Sequence, residues 1–381
     1  MAEFDELKTE ELGLIVRYEQ QMKVLEDVRT CFGAAGIEFI ALKGAVIRNL
    51  YEQPWQRRSA DVDLLIKPER LKDAEKALRN LSYDVRQKNS QHMVFYSPSK
   101  VMLEVHFTLG DYKRLPRGAE VLENVWTDGL LPLGYKSLPL GCKSGVSEGN
   151  ATTFKNSEYV MTDEYFYFYH IYHIAKHLIS GGVKRRDIYD TYLLNTKVEF
   201  DQKKREELLE RGGLTRVEKE LRVLSCKLYC NSEGNDSPSA GFAPSGYKSG
   251  VSGGESGVSV GSNSQANCQA NCTEATSVDV LEYYIDHPEL MFAANLAFEG
   301  KNAKVKYLAM KVFPPVSLQK NAYPYLKDKP YLLPVSWVQR GYNLLTNGYA
   351  KKMQSVTAGT NSAKKEDIEM LQKLFEDLEL M

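Results

Sequence analysis

Asp61 and Asp63 stand one residue apart at the front of DVDLLI (61–66). In a strand, residues i and i+2 share a face, so both carboxylates aim at one place while Val62 and Leu64 turn away from it. Two carboxylates a few ångströms apart repel, and one is pushed to keep its proton. A divalent cation removes the conflict; a solvated edge strand with both charges in water is the plainer alternative. VMLEVHF (101–107) supplies a third acid. There Val101, Leu103, Val105 and Phe107 alternate with Met102, Glu104 and His106, which sets Glu104 and His106 on the face opposite the apolar side chains. A charge between Leu103 and Val105 is costly unless it meets a partner. If the two strands are neighbours, Asp61, Asp63 and Glu104 form an oxygen donor set for one or two Mg2+ (or Mn2+) ions, with His106 beside them at the nucleotide. Ions so held clamp the attacking and leaving oxygens of an in-line phosphoryl displacement. Glu104 is also a candidate to take the proton of an acceptor hydroxyl. Exchange of Asp61 or Asp63 for Asn is expected to abolish such chemistry and leave the fold intact or slightly more stable.

Phosphates need a cationic seat. Lys43-Gly44 ends the apolar run IEFIALKG (37–44) and opens AVIRNLY (45–51), so backbone N–H groups at a helix start are expected to face an anion. Arg57 and Arg58, just before the carboxylate strand, suit bidentate phosphate contacts. Arg186 lies four residues before Asp190, which reads either as a surface ion pair or as an arginine turned to the nucleotide or acceptor. His170, His173 and His177 share one helical face. Packing is preferred for them over a polar wall of the substrate cleft, and both over zinc. Cys226/Cys230 lie in a helical stretch and Cys268/Cys272 in a low-complexity tract, neither the tight knuckle of a structural zinc site, so reduced thiols are expected.

The elements that must position these groups follow from periodicity. Residues 3–35 read as a helix with Leu12, Ile15, Val16, Met22, Leu25 and Val28 on its stripe, stopped by Gly33 and Gly36. A strand at 37–44, a short helix, the Asp61 strand, and an amphipathic helix after Pro68 (69–81) come next. Strands near 83–87, 92–96 and 101–107 complete a β-α-β-α-β-β-β order, with Ser97-Pro98-Ser99-Lys100 turning the last hairpin. From about residue 111 the pattern turns helical, led by the aromatic TDEYFYFYHIYHIAKHLI (162–179) with Thr162 as N-cap. Its tyrosines (165, 167, 169 and 172) read as core and interface rather than a base-stacking platform. Residues 231–275 are rich in Gly, Ser and Asn and carry few large apolar side chains, so disorder is expected there. KSGVS at 143–147 and 248–252 is too short a unit for a repeat architecture. The final amphipathic helix, with Ile368, Leu371, Leu374, Phe375 and Leu378 on one stripe, is expected to pack on this same chain.

LKG (42–44), LY (50–51), Pro54, Arg57, DVDLLI and LEVHF (103–107) together resemble the uncharacterised nucleotidyltransferase family of the DNA polymerase β-like superfamily. The likeness is densest over 37–110; His170 to His177, Arg186, Asp190, FPP (313–315) and LPVSWVQR (333–340) are similar as well. The resemblance implies an α/β fold: a polymerase β-like mixed sheet with an N-terminal helix and a mostly helical C-terminal half. It matches Asp61, Asp63 and Glu104 to the metal-binding acids, Gly44 to the phosphate turn and Arg57 to the family's arginine before the first aspartate. The serine that usually follows the glycine in this superfamily is replaced by Ala45. The expected layout is an N-terminal helical segment (1–36), the nucleotidyltransferase domain (37–130), a helical domain in two parts (155–230 and 276–381) and the insertion 231–275.

Composition sets the outer bounds. The 381 residues carry a net charge of −1 and are 43% hydrophobic, which fits a globular protein of one large or two ordinary domains. No apolar run is long enough for a membrane span. The acidic start MAEFDELKTEELG lacks the order of a secretory signal, so a cytoplasmic protein is expected. The balanced charge disfavours nucleic acid as partner and, with it, a nuclease using the same acids. The function expected is transfer of a nucleoside monophosphate from ATP or another NTP to a small-molecule or protein acceptor hydroxyl. A nucleotide-binding or adaptor module that has lost the chemistry is the alternative.

Overall fold

Short apolar runs of period two, broken by Gly, Pro and Ser turns, become strands. In the computed structural model they are β1 (Phe39–Ala41), β2 (Asp61–Ile66), β3 (Asp84–Lys88), β4 (His92–Tyr96), β5 (Met102–His106), β6 (Leu130–Pro132) and β7 (Glu158–Met161). They form one mixed sheet in the order β3-β4-β5-β2-β1-β7-β6. The structure describes residues 2–88, 91–132, 157–230, 277–299, 313–319, 323–327, 329–346 and 363–381. The insertion 231–275, both KSGVS copies, Cys268 and Cys272 lie outside them. The sheet is wider than the sequence pattern indicates. Strands β6 and β7 extend it past β1, with β7 parallel to β1 and β6 antiparallel to β7. At three and four residues they are too short for an alternation to register.

The register at the centre of the sheet matters most for the site. Strand β2 runs antiparallel to β1 and parallel to β5, with Asp63 opposite Glu104 and Leu65 opposite His106. Strand β4 returns antiparallel to β5, so His92 faces His106 and Val94 faces Glu104. One face of these strands is apolar: Val62, Leu64, Ile66, Met93, Phe95, Leu103 and Val105 are buried in a single core. Helix α1 (Ala2–Ala35) covers that face with Val24, Leu25, Val28 and Phe32, and helix α3 (Leu71–Asn80) adds Ala74 and Leu78.

The stripe on α1 is only half used. Leu12 and Val16 are exposed, contrary to the sequence pattern. A 34-residue helix is about 51 Å long. It outruns a sheet of five- and six-residue strands that span about 20 Å, so its first turns lie beyond the core.

The remaining helices of this part are α2 (Gly44–Ile47), α4 (Pro116–Glu123), α5 (Val125–Asp128), α6 (Asp163–Ser180), α7 (Arg185–Lys197), α8 (Gln202–Gly212) and α9 (Thr215–Tyr229). Thr162 caps α6 as its sequence position indicates, its hydroxyl accepting from the Tyr165 N–H at 3.4 Å. Two compact units divide the chain: residues 1–174 with 184–278, and residues 175–183 with 279–381. The second contains α10 (Val278–Asp286), α11 (Met291–Glu299), α12 (Val316–Gln319), α13 (Leu333–Thr346) and α14 (Lys365–Asp377). There the C-terminal helix α14 packs on the chain itself: Leu371, Leu374, Phe375 and Leu378 are buried, and the Phe375 ring meets that of Tyr284. Among the described residues no helix is long and apolar enough to cross a membrane.

Candidate active site

The polar face of β2 and β5 carries the acids. Parallel pairing sets Asp63 directly beside Glu104, and Asp61 precedes Asp63 by two residues on that face. Asp63 is buried, and its Oδ1 accepts from Lys43 Nζ at 2.9 Å and from His106 Nε2 at 3.0 Å. Burial alone would favour the neutral acid, but these two cations outweigh it and hold the Asp63 carboxyl well below the usual range. Asp61 goes the other way. Burial and the Asp63 charge raise its pKa, against the Ser59 hydroxyl that donates to its Oδ1 at 2.8 Å and the charge of Lys43. Glu104 is held low chiefly by His106, whose Nε2 is 3.4 Å from Glu104 Oε2. Burial opposes charge on His106, yet its bonds to Asp63 and Glu104 prevail and raise its pKa. Tyr169 of α6 is buried against this face, where its hydroxyl feels Lys43, Asp63, Glu104 and Asp61, and burial leads the upward shift of its pKa.

Lys43 reaches Asp63 from a turn that a lysine adopts reluctantly. Its φ is 44° and ψ −116°, a conformation natural to glycine. The ion pair offsets that strain, since the turn aims Nζ at Asp63. The helix that follows is one α-turn, Gly44–Ile47, continued as a 3-10 turn at Arg48–Leu50. Its dipole is therefore small, and the cations beside it matter more than its N-terminus.

Arg57 is committed within the protein. Its Nε donates to Asp190 Oδ1 at 3.0 Å and its NH2 to Asp190 Oδ2 at 2.6 Å, both side chains being buried. Tyr51 adds another bond, its hydroxyl donating to Asp190 Oδ1 at 2.7 Å. The i,i+4 pairing of Arg186 with Asp190 read from the sequence does not form, because Asp190 turns inward to Arg57. Arg186 donates instead to the Arg58 carbonyl at 2.6 Å and contacts Asp187 at 3.3 Å. Arg58 itself is half exposed and paired with Glu10 at 2.7 Å.

Gly44 has a steric task. A Cβ there would clash with Arg57 NH1 and stand 3.3 Å from Ser59 Oγ. Since Asp190 pins the guanidinium, the arginine has no room to yield. Gly44→Ala is accordingly expected to cost about 1–3 kcal/mol of stability, the range for overpacking. Urea unfolding of the two proteins at equal concentration checks it; an unchanged midpoint would mean that Arg57 is free to move.

Helix α1 braces the turn against the strand. Buried Arg48 donates from Nε to the Gly44 carbonyl at 2.6 Å and from NH2 to Gln21 Oε1 at 2.9 Å. Gln21 Nε2 in turn donates to the Ser59 carbonyl at 2.9 Å. Burial and the nearby Arg57 bring the Arg48 pKa down to about 10. Sequence reasoning missed Gln21, Arg48 and the partner of Asp190, because no periodicity links residues so far apart in the chain. It also missed His92, although the hairpin parity that sets Glu104 and His106 on one face sets His92 there too. His92, Glu104 and His106 are the group among the described residues whose ligand atoms all lie within 4.8 Å of one another.

Two of the histidines of α6 have protein partners. His170 is buried, its Nε2 is 2.9 Å from Thr191 Oγ1, and burial lowers its pKa, as for a packed neutral imidazole. His173 lies against the Tyr169 ring, and no metal-holding group among the described residues includes His170, His173, His177, Cys226 or Cys230.

A family model described as an uncharacterised nucleotidyltransferase matches residues 2–229, well over half of the chain. Residues 313–315 and 333–340 lie beyond the match. No curated protein and no solved structure matches the chain.

Proposed function

The chain belongs to the uncharacterised nucleotidyltransferase family, and on that premise we propose that it transfers a nucleoside monophosphate from an NTP to an acceptor hydroxyl. The observation that carries the proposal is the β2–β5 register, with Asp63 opposite Glu104 and Asp61 on the same face. These residues fit a hard divalent cation, Mg2+ or Mn2+. Three carboxylates crowd one face, and the burial and like charge that push Asp61 up are what a cation would relieve. Asp61, Asp63 and Glu104 would hold it. When bound, such an ion supplies charge neutralisation at the transferring phosphoryl group and orients the two oxygens that exchange.

The chain's own residues do the rest. Lys43 and half-exposed Arg58 are the cations on offer to the triphosphate. Arg57, locked by Asp190, lays its NH1 edge against Gly44 and keeps further N–H donors at the turn where a phosphate would sit. Arg186 reaches this region through the Arg58 carbonyl, and so braces the loop before β2. Because His106 holds Glu104 low, Glu104 is a weak base and serves better as a ligand than as a proton acceptor. Tyr169 of α6 is buried where its hydroxyl feels the charges of Lys43 and the three acids. The acceptor is taken to be a small molecule or a protein rather than nucleic acid, given the net charge of −1.

The test is transfer of label from each NTP, radiolabelled at the α-phosphate, in Mg2+ or Mn2+ with cell extract as acceptor source. Asp61→Asn/Asp63→Asn serves as control. Label moving only with wild type supports the transferase. One observation favours the second reading, a nucleotide-binding module: the positive-φ turn is filled by Lys43, whose ammonium already neutralises Asp63. Absence of transfer, with NTP binding that survives the double exchange, would decide for it.

A further inference from the structure

The hairpin β4–β5 gathers nitrogen donors where the proposed reaction calls only for oxygen. His92 and His106 are register partners, Glu104 lies two residues before His106 on the same face, and all three side chains are partly exposed. The two imidazole rings are 5.0 Å apart and tilted by 55° to one another. Ligand atoms at about 2.1 Å from a tetrahedral ion stand about 3.4 Å from one another. His106 Nε2 and Glu104 Oε2 are 3.4 Å apart, and His92 offers a nitrogen within 4.8 Å of both. Small rotations of partly exposed side chains close the remainder.

We propose that His92, Glu104 and His106 form a second cation site, selective for a first-row transition ion of the Zn2+ or Co2+ kind, on the β4 side of Asp63. Two imidazoles and one carboxylate make a set that Mg2+ disfavours, since Mg2+ takes oxygen and keeps its waters. Three protein ligands leave an open position for water or substrate, as in catalytic rather than structural zinc sites. His106 would bind through the Nε2 that now faces Asp63 at 3.0 Å and Glu104 at 3.4 Å. Glu104 then stands between this site and the carboxylate pair at Asp61 and Asp63. The site rests on ligand geometry and stands whether or not nucleotide transfer occurs.

The experiment is titration of the purified full-length chain, stripped with chelator, with Co2+. It is followed by calorimetry and by the visible d–d absorption of nitrogen-bound Co2+, and repeated with Mg2+. Wild type is expected to show, beside any Co2+ held by the carboxylates, one Co2+ whose visible bands of nitrogen ligation millimolar Mg2+ does not erase. His92→Ala should weaken the Co2+ that carries these bands at least about tenfold, while Asp61→Asn should leave the bands in place, since Asp61 is not among the three ligands. Circular dichroism establishes that the variants are folded, and His92→Gln replaces His92→Ala if the latter is not. Co2+ binding that ignores His92, or that Mg2+ displaces, would overturn the site. Loss of this site with label transfer intact leaves the transferase standing; the reverse leaves the site standing.

Discussion

Asp61→Asn and Asp63→Asn should both abolish nucleotide transfer and yet move stability in opposite directions. A ligand to a divalent cation at a phosphoryl group contributes several kcal/mol of transition-state stabilisation, and about 4 kcal/mol is roughly a thousandfold in rate. Either loss should therefore drop turnover by about 10^3 or more. The folding consequences differ because the environments differ. The Asp61 carboxylate is disfavoured by burial and by the charge of Asp63, so a neutral isostere relieves the fold and should leave it as stable or slightly more so. The Asp63 carboxylate is the counter-charge for Lys43 and His106, and it secures the strained turn at Lys43. Asparagine there strands both cations, and about 2 kcal/mol should be lost, the scale of a charge-assisted hydrogen bond. The sequence alone treats the two aspartates as equivalent; their surroundings set them apart. Equal shifts in urea midpoint for the two variants would refute the asymmetry.

That difference between two residues of one motif marks how far a sequence carries. The faces were legible: period-two alternation set Asp61, Asp63, Glu104 and His106 on one side and Val62, Leu64, Leu103 and Val105 on the other, and the register agrees. So were the elements from 37 to 107, to within a residue or two at most boundaries. Partner choice was not legible. Asp190 reads as a helix-surface mate for Arg186 because i,i+4 geometry is local, whereas its mate, Arg57, is 133 residues away. Gly44 reads as a phosphate turn, and its closeness to Arg57 exists only once that pairing has pinned the guanidinium. Local periodicity yields faces; the long-range pairs that tune each carboxylate come from packing.

The pair Arg57–Asp190 is where the largest loss of stability is expected. Both side chains are almost wholly buried, at 5% and 1% exposure, and they are joined by three hydrogen bonds of 2.6–3.1 Å, with Tyr51 on the same carboxylate. Removing one partner of a buried pair leaves an uncompensated charge and costs about 3–5 kcal/mol. Against a total stability on the order of 5–15 kcal/mol, Asp190→Ala should bring the first unit near its unfolding threshold. Asp190→Leu with Arg57→Met should recover much of that loss, because an apolar pair of similar volume carries no desolvation penalty. The pH dependence has a definite sign. Burial favours the neutral acid, but Arg57 outweighs it and lowers the Asp190 pKa below the ordinary 3.8. The unfolded chain then takes up this proton first as pH falls, so the contribution is full above 3.8 and is lost as pH drops through the lower folded value. Wild-type stability should accordingly fall more steeply on the acid side than that of Asp190→Asn, in which the titrating group is gone. Urea unfolding of both proteins from neutral pH down to the acid limb measures this. Parallel acid limbs, or a cost of under about 1 kcal/mol for Asp190→Ala, the scale of an exposed pair, would show a solvated contact rather than a buried lock. In that case Arg57 would be free to leave Gly44, and the turn beside the carboxylates would need another brace.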